Sequence, residues 1–240
     1  MIATTYLGLL LLMSPAPAPM PEVGPLVRHH GSLRAMMHEG ATGPAVSLDD
    51  VVPGPHAVGV GALSELRGEV TILDDRVWIS FPEESTQVRT LVNSAADETA
   101  ALLVVANVDS WQSIRLDKPL DLSALEQRLT QIAAERSGAG EASVFPFLVE
   151  AVFPSLKIHV IDGKRVEPGA SHEEHRKGAV TLAPRNVPAT LVGFYSDSHQ
   201  GVFTHRGQRA HIHAVIAHPL ATGHVDGVEI PVGAILKLPG

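Results

Sequence analysis

The sequence predicts an α+β fold rich in β-strands, with a mixed N-terminal sheet, one well-formed helix and an antiparallel C-terminal sheet. The 240 residues include 18 prolines and 21 glycines, which suit a turn-rich β protein better than a helix bundle. Hydrophobic residues make up 45% of the chain and aromatic residues only 4%, so the core must be aliphatic. Most apolar segments are short and β-branched, which is typical of strands.

The first twenty residues contain an apolar run that is shorter than the about 20 residues needed to cross a bilayer. The run is followed by a Pro/Ala tract in which Ala16 and Ala18 fit a cleavage site. We therefore predict a signal peptide at 1–20, with a disordered arm as the alternative. A signal peptide would make the protein secreted or periplasmic, and without one it would be cytoplasmic.

The rest of the chain is predicted to form an N-terminal lobe over 21–140 and a C-terminal lobe over 141–240. In the first lobe, SLRAMMHEG predicts a two-turn helix that ends at Gly40. The segment from Gly68 to Ser80 predicts a hairpin, because two alternating β-branched arms flank an Asp-Asp turn. The aliphatic run from Ala101 to Val105 predicts a buried strand.

One segment, at about 123–136, has the pattern of an amphipathic helix. Ser123 and Glu126 form a capping-box pattern, and the helix should stop at Gly138 or Gly140. Its apolar stripe consists of Leu125, Leu129 and Ile132. The segments VFPFLVEAVF and LKIHVID then predict two strands, in which His159 is interpreted as a packed core residue.

Charge and cysteine content exclude several classes of function. The formal net charge is −8 and no cluster of Lys or Arg stands out, which argues against binding nucleic acid through its phosphates. There is no cysteine, so there is neither a thiolate nucleophile nor a thiolate metal site. A transition metal would have to be held by imidazole and carboxylate groups.

A histidine-rich stretch near the C-terminus has the spacing of a metal site. AHIHAVIA predicts a strand on which His211 and His213 point to the same face. Pro219 and Gly223 are predicted turn residues, after which His224 opens the return strand. Three neutral imidazoles with an open fourth position are typical of a catalytic site for Zn²⁺ or another divalent transition metal. Chance spacing in a histidine-rich chain is the alternative.

Two blocks of the sequence resemble the α-acetolactate decarboxylase family. GFYSDSHQGVFTHRGQRAHIHAV, followed by GHV, is similar to the metal-binding segment of that family. GVGALSELRGEVTILDDRVWIS resembles the family's N-terminal segment, and the two blocks occur in the family's order. The resemblance implies that the two sheets pack together and that the protein forms a homodimer.

The resemblance also implies an activity: decarboxylation of acetolactate, or of a related short 2-hydroxy-3-oxo acid, to give acetoin and CO₂. Such a substrate offers adjacent oxygens to a metal that acts as a Lewis acid. In the family, the glutamate that matches Glu69 faces the metal pocket, which makes Glu69 the candidate catalytic acid or base. Glu65 has no such support and is interpreted as a surface charge.

The sequence departs from the family pattern at two places. Ile161 stands where the relatives carry an arginine that can hold the substrate carboxylate, so this clamp is unknown here. The C-terminal extension that bears a second pocket glutamate has no clear match, and Glu229 is not in its place. Three arginines elsewhere could supply a guanidinium, and no spacing selects one of them: Arg165, Arg176 and Arg206.

These departures keep two other functions open. One is a non-catalytic relative that binds a metal or a small acid, and the other is a hydrolase that uses metal-bound water. His199 and His205, if they lie on a strand, share one face and could line the pocket behind the metal ligands. His172 and His175 flank two glutamates, but a solvated loop or lid is favoured over a second metal site there.

Overall fold

Two antiparallel sheets packed against each other make up most of the described chain. The structure, a computed structural model, describes residues 26–51, 56–84, 86–136, 143–165 and 178–240. The predicted signal peptide and the loop that carries His172 and His175 lie outside these residues. The predicted α+β, β-rich class is confirmed. None of the described helices is long and apolar enough to span a membrane.

The first sheet has seven strands and follows the order β1-β7-β3-β4-β5-β6, with β2 paired to β7. We predicted a mixed sheet, but each pairing among its described strands is antiparallel. Short turns explain the difference: β4 and β5 form the predicted hairpin through Asp74 and Asp75, both with positive φ. The strands are β1 (Arg28–His30), β2 (Val46–Ser47), β3 (Ala57–Leu63), β4 (Glu69–Leu73), β5 (Arg76–Glu84), β6 (Gln87–Val92) and β7 (Thr99–Asn107).

The second sheet also has seven strands, in the order β11-β12-β13-β9-β14-β8, with β10 paired to β9. The two strands predicted around Pro154 are a single strand, β9, because β11 and β13 pair along its successive parts and hold it extended. The strands are β8 (Trp111–Arg115), β9 (Val144–Val160), β10 (Val180–Leu182), β11 (Arg185–Ser196), β12 (Ala210–Ile216), β13 (Ala221–Glu229) and β14 (Ile235–Pro239).

The α-helices of the described residues are α1 (Leu33–Glu39), α2 (Leu48–Val51) and α3 (Leu122–Arg136). In α1, Ser32 caps the N-terminus. The helix ends at Gly40, as predicted, in a left-handed conformation. The apolar stripe of α3 is buried against the second sheet. Since β8 pairs with β14, the chain passes from the first sheet to the second before Trp111.

The predicted capping box of α3 is replaced by a different cap. Asp121 accepts the backbone N–H of Ala124 at 2.8 Å, so the helix begins one residue earlier than expected. Glu126 is thereby free for another role and accepts the backbone N–H groups of Arg209 and Ala210, each at 3.0 Å. The helix therefore anchors the start of β12, the strand that carries two of the predicted metal ligands.

The space between the sheets is filled with aliphatic side chains, as the composition predicts. Val60 and Val104 of the first sheet share one buried cluster with Val192, Phe194 and Val215 of the second. Burying a side chain of this size contributes about 1.5–3 kcal/mol, so this layer fixes the position of β4 against β12 and β13. The polar groups described next are set into this apolar layer.

Candidate metal centre

The three predicted ligands, His211, His213 and His224, meet between the two sheets. His211 and His213 lie two residues apart on β12 and share a face, and His213 is directly opposite His224 of β13. Each of the three offers one ring nitrogen, and these nitrogens lie within 4.8 Å of one another. His224 lies inside β13 and does not open it, because the strand already begins at Ala221.

The hydrogen bonding of the rings fits a bound metal. His213 Nδ1 lies 2.9 Å from the Thr71 hydroxyl, and the His211 ring hydrogen-bonds to the backbone of Phe203. Within the described residues, His213 Nε2 and His211 Nδ1 are buried without a hydrogen-bond partner. Leaving a buried polar atom unsatisfied costs about 1–3 kcal/mol, and a metal ion would satisfy both atoms at once. The residues present therefore fit a metal held by imidazoles.

Burial also keeps these imidazoles in the neutral form that binds metals. It lowers the pKa of His211 to about 3, with a further contribution from the charge of His205. Burial and the neighbouring histidines also lower the pKa values of His213 and His224 well below the ordinary value of 6.5. At neutral pH the lone pairs are therefore available without the release of a proton.

Glu69 lies beside the histidines, as the resemblance implies. It begins β4 and is 4% exposed, with its Oε2 3.7 Å from His213 Nε2. Its Oε1 accepts the backbone N–H of Ile161 at 3.3 Å. Burial raises the pKa of Glu69 to about 7, although the nearby His159 opposes this shift. The carboxyl group can therefore give or take a proton near neutral pH, whereas Glu65 is exposed.

A histidine–aspartate pair adjoins the centre, and sequence reasoning missed it. His159 of β9 is directly opposite His224, and its Nδ1 lies 2.9 Å from Asp226 Oδ1. The sequence interpretation of His159 as a packed core residue is right about burial, since it is 8% exposed. Only the pairing of β9 with β13 places it at the centre, and the local pattern holds no signal for that pairing.

A cavity of about 730 Å³ opens beside the histidines. His159, His205, His224 and Asp226 line it together with two arginines. Arg206 is one of the three arginines considered as a clamp in the sequence analysis, whereas Arg34 of α1 was not among them. The side chain of Arg165 and the whole of Arg176 lie outside the described residues.

His199 and His205 occupy different environments. They do not lie on a strand, because β11 ends at Ser196 and β12 begins at Ala210. The His205 ring lies 5.4 Å from that of His224, beside the centre. His199 Nδ1 instead lies 2.8 Å from the Ser196 hydroxyl, and its ring stacks on Phe203 at 4.9 Å. The turn within this loop separates two histidines that strand geometry would keep together.

Gly223 explains how β13 brings His224 so close to β9. We predicted Gly223 as a turn residue, but it lies inside β13, where a Cβ would be 2.5 Å from the carbonyl oxygen of His159. Such a distance is too short for any side chain, so the two strands would have to separate.

We therefore expect Gly223→Ala to lower the free energy of unfolding by about 1–3 kcal/mol and to weaken metal binding, since His224 is the next residue. Urea denaturation and metal titration would measure the two effects. Gly227→Ala in the same strand is the matched control, because a Cβ there meets nothing within 4 Å. Equal losses in both variants would contradict this explanation.

Comparisons with known proteins agree with the fold. The family model of alpha-acetolactate decarboxylase matches residues 29–236. No curated protein matches the sequence significantly. Among solved structures, the alpha-acetolactate decarboxylase of Bacillus subtilis strain 168 superposes with a TM-score of 0.68 at 13% identity, over 88% of this chain and 85% of that chain.

Two further structures are similar in fold. The acetolactate decarboxylase of Bacillus subtilis subspecies spizizenii gives a TM-score of 0.69 at 15% identity, over 89% of this chain and 85% of its own. A protein of unknown function from Staphylococcus aureus, described as similar to alpha-acetolactate decarboxylase, gives 0.68 at 16% identity, over 88% and 84%. At such identities the superpositions show the fold, and the family model covers most of the chain. The chain therefore belongs to the alpha-acetolactate decarboxylase family.

Proposed function

We propose that this protein is a metal-dependent decarboxylase acting on acetolactate or a related short 2-hydroxy-3-oxo acid. His211, His213 and His224 would hold Zn²⁺ or another divalent transition metal, and Glu69 would transfer the proton. The observation that carries the proposal is the buried Glu69 carboxyl, 3.7 Å from a ring nitrogen of His213 that has no hydrogen-bond partner among the described residues. Membership of the family supports it.

The reaction breaks the bond between the substrate carboxylate and C2. The electron pair of that bond stays on the organic fragment and gives an enediolate, while the carboxylate leaves as CO₂. When bound, the divalent cation would supply Lewis-acid stabilisation of this negative charge. Glu69 would give its proton to the carbon, which completes acetoin. Burial raises the pKa of Glu69 to about 7, which increases the protonated fraction that this step needs.

The rest of the cavity supplies orientation. Arg34 and Arg206 line it and offer positive charge to an anionic substrate. His159, fixed through its Nδ1 by Asp226, lies on the opposite strand from His224 and adds a polar group beside the substrate. Ile161, whose backbone N–H donates to Glu69, belongs to the buried apolar cluster between the sheets.

One observation favours a second candidate, a relative that binds a metal or a small acid without turnover. Ile161 stands where the relatives carry the clamping arginine, and its side chain is 7% exposed. Arg34 and Arg206, the two arginines that line the cavity, are exposed. An exposed guanidinium group positions a substrate carboxylate less firmly than a buried guanidinium group does.

The experiment that separates the two measures metal content and activity on one purified sample. For the decarboxylase, we expect about one divalent ion per chain and release of acetoin and CO₂ from acetolactate far above the spontaneous rate. A protein that holds the ion while acetolactate decays only spontaneously would support the binding relative. Turnover of an ester or lactone panel in place of acetolactate would indicate a hydrolase.

A further inference from the structure

Two threonines connect His213 to the backbone through a chain of buried hydrogen bonds. The chain starts at His213 Nδ1, which lies 2.9 Å from the Thr71 hydroxyl oxygen. The Thr71 hydroxyl lies 2.6 Å from that of Thr222, which donates to the carbonyl oxygen of Ala214 at 2.9 Å. His213, Thr71 and Thr222 are each 0% exposed. The three side chains come from β12, β4 and β13, so this row of hydrogen bonds crosses from one sheet to the other.

The direction of each hydrogen bond follows from counting protons. A hydroxyl group has one proton to donate, and a carbonyl oxygen only accepts, so the proton of Thr222 is committed to Ala214. At the contact between the two threonines, Thr71 must then be the donor. Its proton is therefore committed as well, and at the contact with His213 the threonine oxygen accepts from Nδ1–H.

The state of the second ring nitrogen follows from this direction. With Nδ1 protonated in the neutral ring, Nε2 carries the lone pair. This is the nitrogen that is buried without a partner among the described residues and lies 3.7 Å from Glu69 Oε2.

We propose that Thr71 and Thr222 are positioning residues that fix the His213 ring in the tautomer and orientation in which Nε2 binds the metal. The inference rests on the metal-binding part of the proposed function and not on the identity of the substrate. Metal-bound histidines generally donate their other ring N–H to an oxygen, and loss of that partner weakens metal binding by about 10–100-fold.

The two threonines are themselves held from the first sheet. The backbone N–H of Thr222 donates to the Ser80 hydroxyl at 3.0 Å, and Ser80 contacts the Thr90 hydroxyl at 2.6 Å. Ser80 is directly opposite Glu69 in the β4–β5 hairpin. The same hairpin thus carries the candidate acid and the groups that orient a metal ligand, which sets their relative position rigidly.

Metal affinity of matched variants tests the proposal. Thr71→Val keeps the shape but removes the hydroxyl, and we expect it to weaken binding of Zn²⁺ about 10–100-fold in a chelator competition titration. Thr71→Ser restores the hydroxyl and should bind nearly as tightly as the parent. Thr99→Val is the control, because the Thr99 hydroxyl also donates a hydrogen bond, of 2.7 Å to the Ser64 hydroxyl, but not to a histidine. Parent-like affinity in Thr71→Val, or an equal loss in Thr99→Val, would overturn the proposal.

The tautomer itself can be observed by ¹⁵N NMR of the histidine rings in the metal-free parent protein. We expect a protonated Nδ1 and an unprotonated Nε2 for His213, and this measurement decides the matter even if Thr71→Val does not fold. An Nε2-protonated ring would overturn the proposal. Failure of this proposal can be told apart from failure of the proposed function. Absence of acetoin formation would contradict the decarboxylase assignment, whereas the order of the Zn²⁺ affinities tests only the role of the threonines.

Discussion

Replacing His213 by alanine is expected to abolish stoichiometric metal binding and, with it, acetoin formation above the spontaneous rate. The variant would retain only two of the three imidazoles, and these lie on different strands. Catalytic zinc sites use three protein ligands. Loss of a partner that only orients a ligand already costs about 10–100-fold in affinity, so loss of a ligand should cost more. Metal content per chain by mass spectrometry and acetoin yield on the same sample measure both effects.

The fold should survive this substitution, which separates the loss of metal from unfolding. His213 Nε2 is buried without a partner in the described structure, so no hydrogen bond is lost at that atom in the metal-free protein. The variant does lose the contact between Nδ1 and Thr71 and leaves a cavity in a buried site, which should lower the free energy of unfolding by about 2–5 kcal/mol. Circular dichroism of the metal-free protein should therefore stay close to the parent, whereas its thermal melt should move to lower temperature. His218→Ala is the matched control, because His218 is exposed in the β12–β13 turn. A His213→Ala protein that still carries one ion per chain would refute the assignment of the ligands.

The metal ligands could be predicted from the sequence because their geometry is local. A strand places residues two apart on one face, and a single turn returns the chain beside it, so His211, His213 and His224 needed no distant information. The stripe of α3 and the β4–β5 hairpin could be predicted for the same reason. In each, the interacting residues lie within one or two neighbouring elements.

The groups around the ligands depend on contacts between distant parts of the chain. His159 reaches the centre only because β9 pairs with β13, and Thr71 only because the first sheet packs on the second. Strand periodicity gives the face on which each residue lies but not the strand that it will meet. Local competition explains the cap of α3, since two residues that can cap a helix, Asp121 and Ser123, lie two positions apart and the pattern does not rank them.

Glu69 is a separate case, because its burial runs against its residue type. Carboxylates are rarely buried unless they are paired or protonated, and a glutamate at the start of a strand is ordinarily solvated. The resemblance to the family, and not the alternation of β4, placed Glu69 in the pocket. The structure supplies the physical reason that it stays there: the Ile161 N–H donates to it, and a pKa of about 7 allows the neutral form.

We expect Glu69→Gln to lower kcat for acetolactate by about 10²–10⁴-fold while leaving metal content unchanged. Glutamine has the same shape and can still accept the Ile161 N–H, but it cannot give a proton to carbon. Metal should remain because the three imidazoles are retained. Glu65→Gln removes an exposed carboxylate in the preceding turn and should leave kcat within about twofold of the parent, as surface changes generally do.

The pH dependence tests the same role independently. An enzyme whose catalytic group must be protonated loses activity as the pH rises through the pKa of that group. The parent rate should therefore show a limb that begins at or below pH 7 and falls tenfold per pH unit. A bound cation lowers the pKa of a neighbouring carboxyl and moves the limb to lower pH, not higher. Glu69→Gln should lack this limb, since its residual rate no longer depends on that proton. Parent-like kcat in Glu69→Gln, or an unchanged limb, would assign the proton transfer to another group. The His159–Asp226 pair would then be the first to examine, because it lines the cavity beside His224.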